Sequence, residues 1–338
     1  MTTEFTDRRL GESGPIIGPM GLGTWAMGGP FSSGPDLSLP TGSPLGYGAA
    51  DDEQSIRALH CAVEMGATLF DTADAYGAGH GERILGRALK GKRDQVIIAS
   101  KFGNTYNEQT RQLGRPNLSP KYIRKACIAS LERLQTTWID LYQLHIGDMP
   151  LEQADNVADT LDGLCTDGLI RSYGWSTDDP ERGAAFANRP NAVALQFQLN
   201  VLQDAPEMIN TCQKNNFAGL VRSPLAMGLL SGKYSASSIL PADDIRSQPP
   251  EWLPYFEQGG RASPALSQQL AQIREVLTSG GRTLVQGALA WIWGRSACTI
   301  PIPGIRTEAQ VKENLEAIPF GPLSENQMRE IKYILNRP

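Results

Sequence analysis

Eight short apolar runs separated by amphipathic segments constrain this chain more than any other feature. They are GPMGLGTW (18–25), TLFDTA (68–73), VIIASKF (96–102), IDLYQLH (139–145), IRSYGWS (170–176), AVALQFQ (192–198), AGLVRSP (218–224) and CTIPIPG (298–304). Most lack strict polar alternation, the pattern of strands buried on both faces of a parallel sheet. The segments between them carry helix start signals. Ser119-Pro120 reads as an N-cap followed by proline at the first helical position, with Ile123, Cys127, Leu131 and Leu134 then on one face. Thr307-x-x-Gln310 reads as a capping box ahead of Val311, Leu315 and Ile318, and a helix follows Asp51 with Ile56, Leu59 and Val63 inward. Strand then helix, eight times over, predicts an α/β fold of the (β/α)8 TIM barrel type, as one domain over 1–338. The competing open, doubly wound sheet would carry a GxGxxG turn after its first strand, and the sequence has none.

Three segments fall outside the repeat. Residues 5–17 read as a hairpin capping the barrel floor. Residues 26–50, rich in Gly, Pro and Ser, follow the first strand, and residues 235–263, with Asp243, Asp244, Trp252, Tyr255 and Phe256, follow the seventh. Loops after barrel strands lie on the catalytic face, so these two are expected to wall the site. Trp25, Phe31, Trp252 and Phe256 are candidates for an apolar pocket there.

Hydrophobic residues make up 41% of the 338 positions and charged ones 20%, which suits a large buried core rather than a disordered chain. A net charge of −5 with no basic stripe argues against a nucleic-acid partner, so a bound anion needs a local site. The cysteines, Cys61, Cys127, Cys165, Cys212 and Cys298, are odd in number and scattered, which fits neither a disulfide nor a zinc framework. With no apolar signal region at the N-terminus and no membrane-length apolar run, a cytoplasmic protein with no membrane partner is expected.

The chemistry concentrates at strand ends. Asp71, Tyr76, Lys101 and His145 stand at or just beyond the ends of the second, third and fourth runs, and barrel geometry gathers such positions on one face. Delivery of hydride to a carbonyl builds negative charge on oxygen, and a nearby acid must supply a proton. Tyrosine, with a reference pKa of about 10, is a reluctant donor. An ammonium beside it is expected to lower that value, and a carboxylate keeps a buried ammonium charged. Asp71, Lys101 and Tyr76 supply that chain, and His145 can orient the carbonyl or relay the proton. Read singly, each has a plainer role: Asp71 a cap, Tyr76 loop packing, His145 a core histidine, and Lys101 a surface charge or the Schiff-base lysine of a barrel aldolase.

The stretches GLGTW (21–25), FDTADAYG (70–77), SKFG (100–103), LYQLHIGD (141–148), ALQFQLN (194–200), RSPLAMGLLSGKY (222–234) and IPIPGIRTEAQVKENL (300–315) resemble the aldo-keto reductase family over nearly the whole chain. The resemblance implies an NADPH/NADP+-dependent barrel that needs no metal, with Asp71, Tyr76, Lys101 and His145 as its catalytic tetrad. It places Gly23, Thr24, Trp25 and Asp71 near the nicotinamide ribose, and Ser176 and Gln196 on the carboxamide. Arg222, Ser223, Pro224, Leu225, Gly228 and Lys233 fall in the segment beside the nicotinamide and pyrophosphate. Gly304, Arg306, Gln310, Glu313 and Asn314 fall around the adenosine phosphate. Arg306, just before a helix start, suits a 2′-phosphate. Two positions depart from the family pattern: Thr177 stands where asparagine is common, and Arg222 where many members place an aromatic ring. Asp243 or Asp244 is a candidate partner for the Arg222 charge. The expected activity is reduction of an aldehyde, ketone or sugar-like carbonyl. The alternative is an NADP(H)-binding regulatory subunit with little turnover.

Overall fold

The computed structural model describes residues 5, 8–12 and 14–337. All eight apolar runs contain a strand of one parallel sheet: β1 (Gly21–Gly23), β2 (Leu69–Asp71), β3 (Ile97–Phe102), β4 (Ile139–Leu144), β5 (Ile170–Ser176), β6 (Ala192–Gln198), β7 (Ala218–Arg222) and β8 (Thr299–Pro301). The sheet closes on itself through a parallel bridge between Gly23 and Gly304, where Gly23 N donates to Pro303 O at 2.9 Å and Ile305 N to Gly23 O at 3.1 Å. Among the described residues, ten α-helices pack outside: α1 (Asp52–Glu64), α2 (His80–Ala88), α3 (Pro120–Leu134), α4 (Ala154–Thr166), α5 (Pro180–Ala184), α6 (Pro206–Lys214), α7 (Pro264–Thr278), α8 (Leu284–Arg295), α9 (Glu308–Leu315) and α10 (Glu325–Ile334). Their starts follow the sequence signals. The Ser119 side chain accepts from Tyr122 N ahead of Pro120, Asp51 accepts from Gln54 N, and Thr307 and Gln310 form a complete capping box.

The two-residue period of a strand positions the site. Leu69, Ala99, Leu141, Ala194 and Leu220 belong to one apolar cluster inside the barrel. Two residues further along each strand, and so on the same face, stand Asp71, Lys101, Gln143, Gln196 and Arg222. The inner layer therefore changes from apolar to polar at the C-terminal ends of the strands. At the opposite end, Leu10 and Ile17 plug the floor from the expected N-terminal hairpin, with Leu10 N on Pro15 O at 3.0 Å and Ile17 N on Arg8 O at 2.8 Å. Residues 6, 7 and 13 of that expected segment lie outside the described ones.

The loop after β1 is built rather than irregular. Ser32–Ser33 pairs in parallel with Gln112–Pro116, which runs antiparallel to Asn104–Asn107, so a three-stranded sheet roofs one side of the barrel mouth. No sequence signal announces the hairpin at 104–116. Opposite it, the loop after β7 meets the loop after β1 through a bridge between Tyr47 and Asp244, with Ile245 N on Gly46 O at 2.7 Å. Phe256 departs from expectation: it is buried within its own loop, edge-on to Tyr234 at 5.2 Å, and does not line the cavity.

Candidate active site

A cavity of about 1100 Å³ opens at the C-terminal ends of the strands. Tyr76 and His145 face it, and Lys101 lies directly beneath, fully buried. The Lys101 ammonium donates to Asp71 Oδ1 at 2.5 Å, to Thr72 O at 2.8 Å and to Tyr76 Oη at 3.2 Å. Asp71 Oδ2 accepts from Gln196 Nε2 at 2.8 Å and Gln143 Nε2 at 3.2 Å. The buried carboxylate is thus hydrogen-bonded through both oxygens, as a buried charge requires. Gln143 is a member of the site that the sequence reading missed. Its signal is a polar residue in the apolar run IDLYQLH, in the period-two position that faces the barrel interior.

The electrostatics follow from this geometry. Burial disfavours the Lys101 ammonium, but Asp71 and Tyr76 outweigh it and hold its pKa above the ordinary value. A lysine kept charged in this way is no free amine, which removes the footing for a Schiff-base role. Burial also pushes the Tyr76 phenol above its ordinary value, with the Lys101 ammonium pulling the other way. The expected lowering of Tyr76 is therefore corrected: Lys101 opposes the burial effect without reversing it, and the phenol keeps its proton at neutral pH. His145 is pushed down to about 3, by burial first and by Lys101 and Arg222 after it, so its ring is neutral. The ring stands edge-on to Tyr76 with centroids 6.0 Å apart, and its buried Nδ1 has no hydrogen-bond partner among the described residues.

The strand-end residues singled out around this centre mostly reach the cavity. Gly23, Trp25, Ser176, Gln196, Arg222, Ser223, Pro224, Leu225, Gly228 and Lys233 line it, as do Gly304, Arg306, Gln310, Glu313 and Asn314. Thr24 does not: it is buried, and its hydroxyl donates to Asp71 O at 3.1 Å, so it fixes the backbone behind the site. The Gln310 side chain closes the capping box and also accepts from Arg306 N at 2.8 Å. The Arg306 guanidinium donates to the carbonyls of Tyr47 and Ala49. Asn314 Nδ2 is buried beside the cavity without a partner among the described residues.

The two departures from the family pattern lie close together. The Thr177 hydroxyl donates to Gly147 O at 2.7 Å, tying the ends of β4 and β5 together. The next residue, Asp178, is the ion-pair partner of Arg222, which also donates to Gln198 Oε1 at 2.7 Å. Neither of the sequence candidates serves: Asp244 is paired with Arg246 at 2.7 Å, and Asp243 packs against Gly48.

A model of the aldo/keto reductase family matches residues 19–336. The chain belongs to this family. Among its relatives, the Schizosaccharomyces pombe aldo-keto reductase yakc [NADP(+)] is 30% identical over 85% of this chain and 84% of its own length. The NADH-specific methylglyoxal reductase of Escherichia coli is 29% identical over 97% of this chain and 98% of its own. In structure, the glycerol dehydrogenase AKR11B4 from Gluconobacter oxydans superposes with a TM-score of 0.80, at 28% identity, over 99% of this chain and 96% of that one. Aldo/keto reductases are carbonyl oxidoreductases, and no helix among the described residues is long and apolar enough to cross a membrane.

Proposed function

We propose that this chain is an NADPH-dependent reductase of an aldehyde or ketone, with Tyr76 as its general acid. One observation carries the reading: a charged lysine, held by a buried aspartate, lies 3.2 Å from the phenol oxygen at the base of a cavity much larger than one small substrate needs. The cavity also fits a dinucleotide chemically. It runs from Tyr76 to Arg306, and the orphaned amide of Asn314 offers donors that nothing among the described residues satisfies. Arg306 and Lys233 would hold phosphate groups, Ser176 and Gln196 the carboxamide, and Asn314 the adenine end. Bound there, the cofactor supplies hydride to the carbonyl carbon.

The residues of the chain supply the rest. Tyr76 donates its hydroxyl proton to the carbonyl oxygen as negative charge develops on it. Lys101 stabilises the phenolate left behind through the hydrogen bond it already makes, and Asp71 balances the ammonium. His145, neutral across the physiological range, donates a hydrogen bond to the same oxygen and fixes its direction. Gln143 and Gln196 hold Asp71 in place. The test is a carbonyl panel followed by loss of NADPH absorbance, with Tyr76→Phe as control. Turnover that Tyr76→Phe removes supports the reading. Tight NADPH binding with no turnover on any carbonyl would favour a regulatory subunit instead.

A further inference from the structure

We propose that Cys298 and Cys212 form a peroxide-reactive pair at the floor of the barrel, in which Cys298 is oxidised first and Cys212 closes a disulfide on it. The two are far apart along the chain, and the fold brings them together. Cys212 lies on α6, and Cys298 stands just before β8, at the end of the barrel opposite the cavity. Strand β7 joins them: Phe217 N donates to Cys212 O at 2.9 Å and Gly219 N to Cys298 O at 2.8 Å. Cys212 Sγ packs on Gly219, 3.4 Å from where a Cβ would stand. The Cys212 thiol is fully buried there and meets the Cys298 sulfur. Cys298 is only half-buried, beside the exposed Ala297, so a solute as small as hydrogen peroxide reaches it. Both sulfurs are reduced.

The surroundings make Cys298 the nucleophile of the pair. Ser296 Oγ accepts from Gln213 Nε2 at 3.1 Å and from Cys298 N at 3.2 Å, which leaves its own proton for the Cys298 sulfur, 3.2 Å away. The Arg8 side chain, donating to Ser296 O at 2.7 Å and Thr299 O at 2.8 Å, brings a positive charge to the same sulfur. The Cys212 thiol, ahead of Ser296 and Arg8, stabilises the Cys298 thiolate, and together they outweigh burial and hold Cys298 below the ordinary thiol range. Cys212 is pushed up by that same contact and by burial, so the proton the pair retains stays on Cys212. Cys127 and Cys165 lack such help, and burial pushes both up to about 12.

The chemistry balances with a peroxide as the oxidant. The Cys298 thiolate attacks one peroxide oxygen, the O–O bond breaks and hydroxide leaves, so the sulfur becomes a sulfenic acid as the peroxide is reduced. The Cys212 sulfur then attacks the Cys298 sulfur and the S–O bond breaks. The departing hydroxide takes the Cys212 proton and leaves as water, and the disulfide remains. A neighbouring thiol thus intercepts the sulfenic acid before a second peroxide converts it to the irreversible sulfinic acid.

The test treats the full chain with hydrogen peroxide, alkylates the remaining thiols and maps the peptides by mass spectrometry. We expect a Cys212–Cys298 peptide pair lighter by two hydrogen atoms and restored by dithiothreitol, with Cys298 lost to alkylation about tenfold or more faster than Cys127 or Cys165. In Cys212→Ser, the Cys298 sulfenic acid has no thiol to meet and should be captured by dimedone. In Cys298→Ser, Cys212 should stay alkylatable once the chain is unfolded. Oxidation of Cys298 no faster than that of Cys127 and Cys165 overturns the proposal. So does passage of wild-type Cys298 to sulfinic acid with no disulfide to Cys212. The wild-type map decides the matter even if a variant fails to fold, and it is read without any carbonyl substrate.

Discussion

Tyr76→Phe isolates a single hydroxyl. The phenyl ring keeps the near-parallel stack on Trp25 and the edge contact with His145, because neither involves the oxygen. Lys101 loses one acceptor at 3.2 Å but keeps Asp71 and Thr72 O at 2.5 and 2.8 Å, so its charge stays satisfied. The stability loss should be that of one ordinary hydrogen bond, about 1 kcal/mol. The rate loss should be far larger, about 100- to 10,000-fold, or roughly 3–5 kcal/mol of activation free energy. The assay is single-turnover reduction of an aromatic aldehyde followed by nicotinamide absorbance, with NADPH affinity measured in parallel by fluorescence. Wild type supplies a second check. With His145 pushed down to about 3 and the phenol above its ordinary value, neither group changes charge between about pH 5 and 8, and kcat/KM should be flat there. A Tyr76→Phe rate close to wild type would refute the general-acid role. So would loss of NADPH affinity in proportion to loss of rate, since the hydroxyl would then be holding cofactor rather than delivering a proton.

Lys101→Met should destabilise the fold by about 3–5 kcal/mol, because it strands the buried Asp71 carboxylate on two amides; an unchanged denaturation midpoint would contradict this. Arg306→Ala should weaken NADPH by about 1.5–3 kcal/mol and NADH far less, and equal losses in a titration would remove Arg306 from the 2′-phosphate. Asp178→Asn should unmask the Arg222 charge and weaken NADP+ relative to NADPH several-fold, because only the oxidised ring is cationic, whereas Arg222→Tyr should change that ratio little. If Asp178→Asn leaves the ratio of the two dissociation constants untouched, Arg222 is remote from the ring.

The barrel was legible because its signal is carried by burial, which composition records. Strands covered on both faces must be apolar runs, and the caps at Ser119, Asp51 and Thr307 announce helices by local chemistry. Asp71, Lys101 and His145 were legible for the converse reason, since a polar group in or at the end of an apolar run needs an explanation, and Tyr76 was legible through the stretch FDTADAYG that it shares with Asp71. The hairpin at 104–116 was not, because NTYN and QLGRP are short, polar and half-exposed and carry no alternating pattern. Partner choice was the other gap. Sequence position pointed to Asp243 or Asp244 as the partner of Arg222, whereas the placement of the β5 end near the β7 end gives that role to Asp178. Likewise the ion pair of Glu82 on α2 with Arg133 on α3, at 2.7 Å, joins residues 51 positions apart, which no local pattern reports.

Asp71 gathers hydrogen bonds from widely separated segments of chain. Its carboxylate takes Lys101 from β3, Gln143 from β4 and Gln196 from β6, while its own carbonyl takes the Thr24 hydroxyl after β1. The cavity walls come largely from other places, the loops after β1, β3, β4, β5 and β7, whose wall residues make none of these bonds. Selection and engineering therefore meet two unlike materials in one molecule. The buried Asp71 cluster is a keystone, and altering it loosens the arch that holds it. The walls are masonry laid on top, open to being recut for a new substrate while the arch stands.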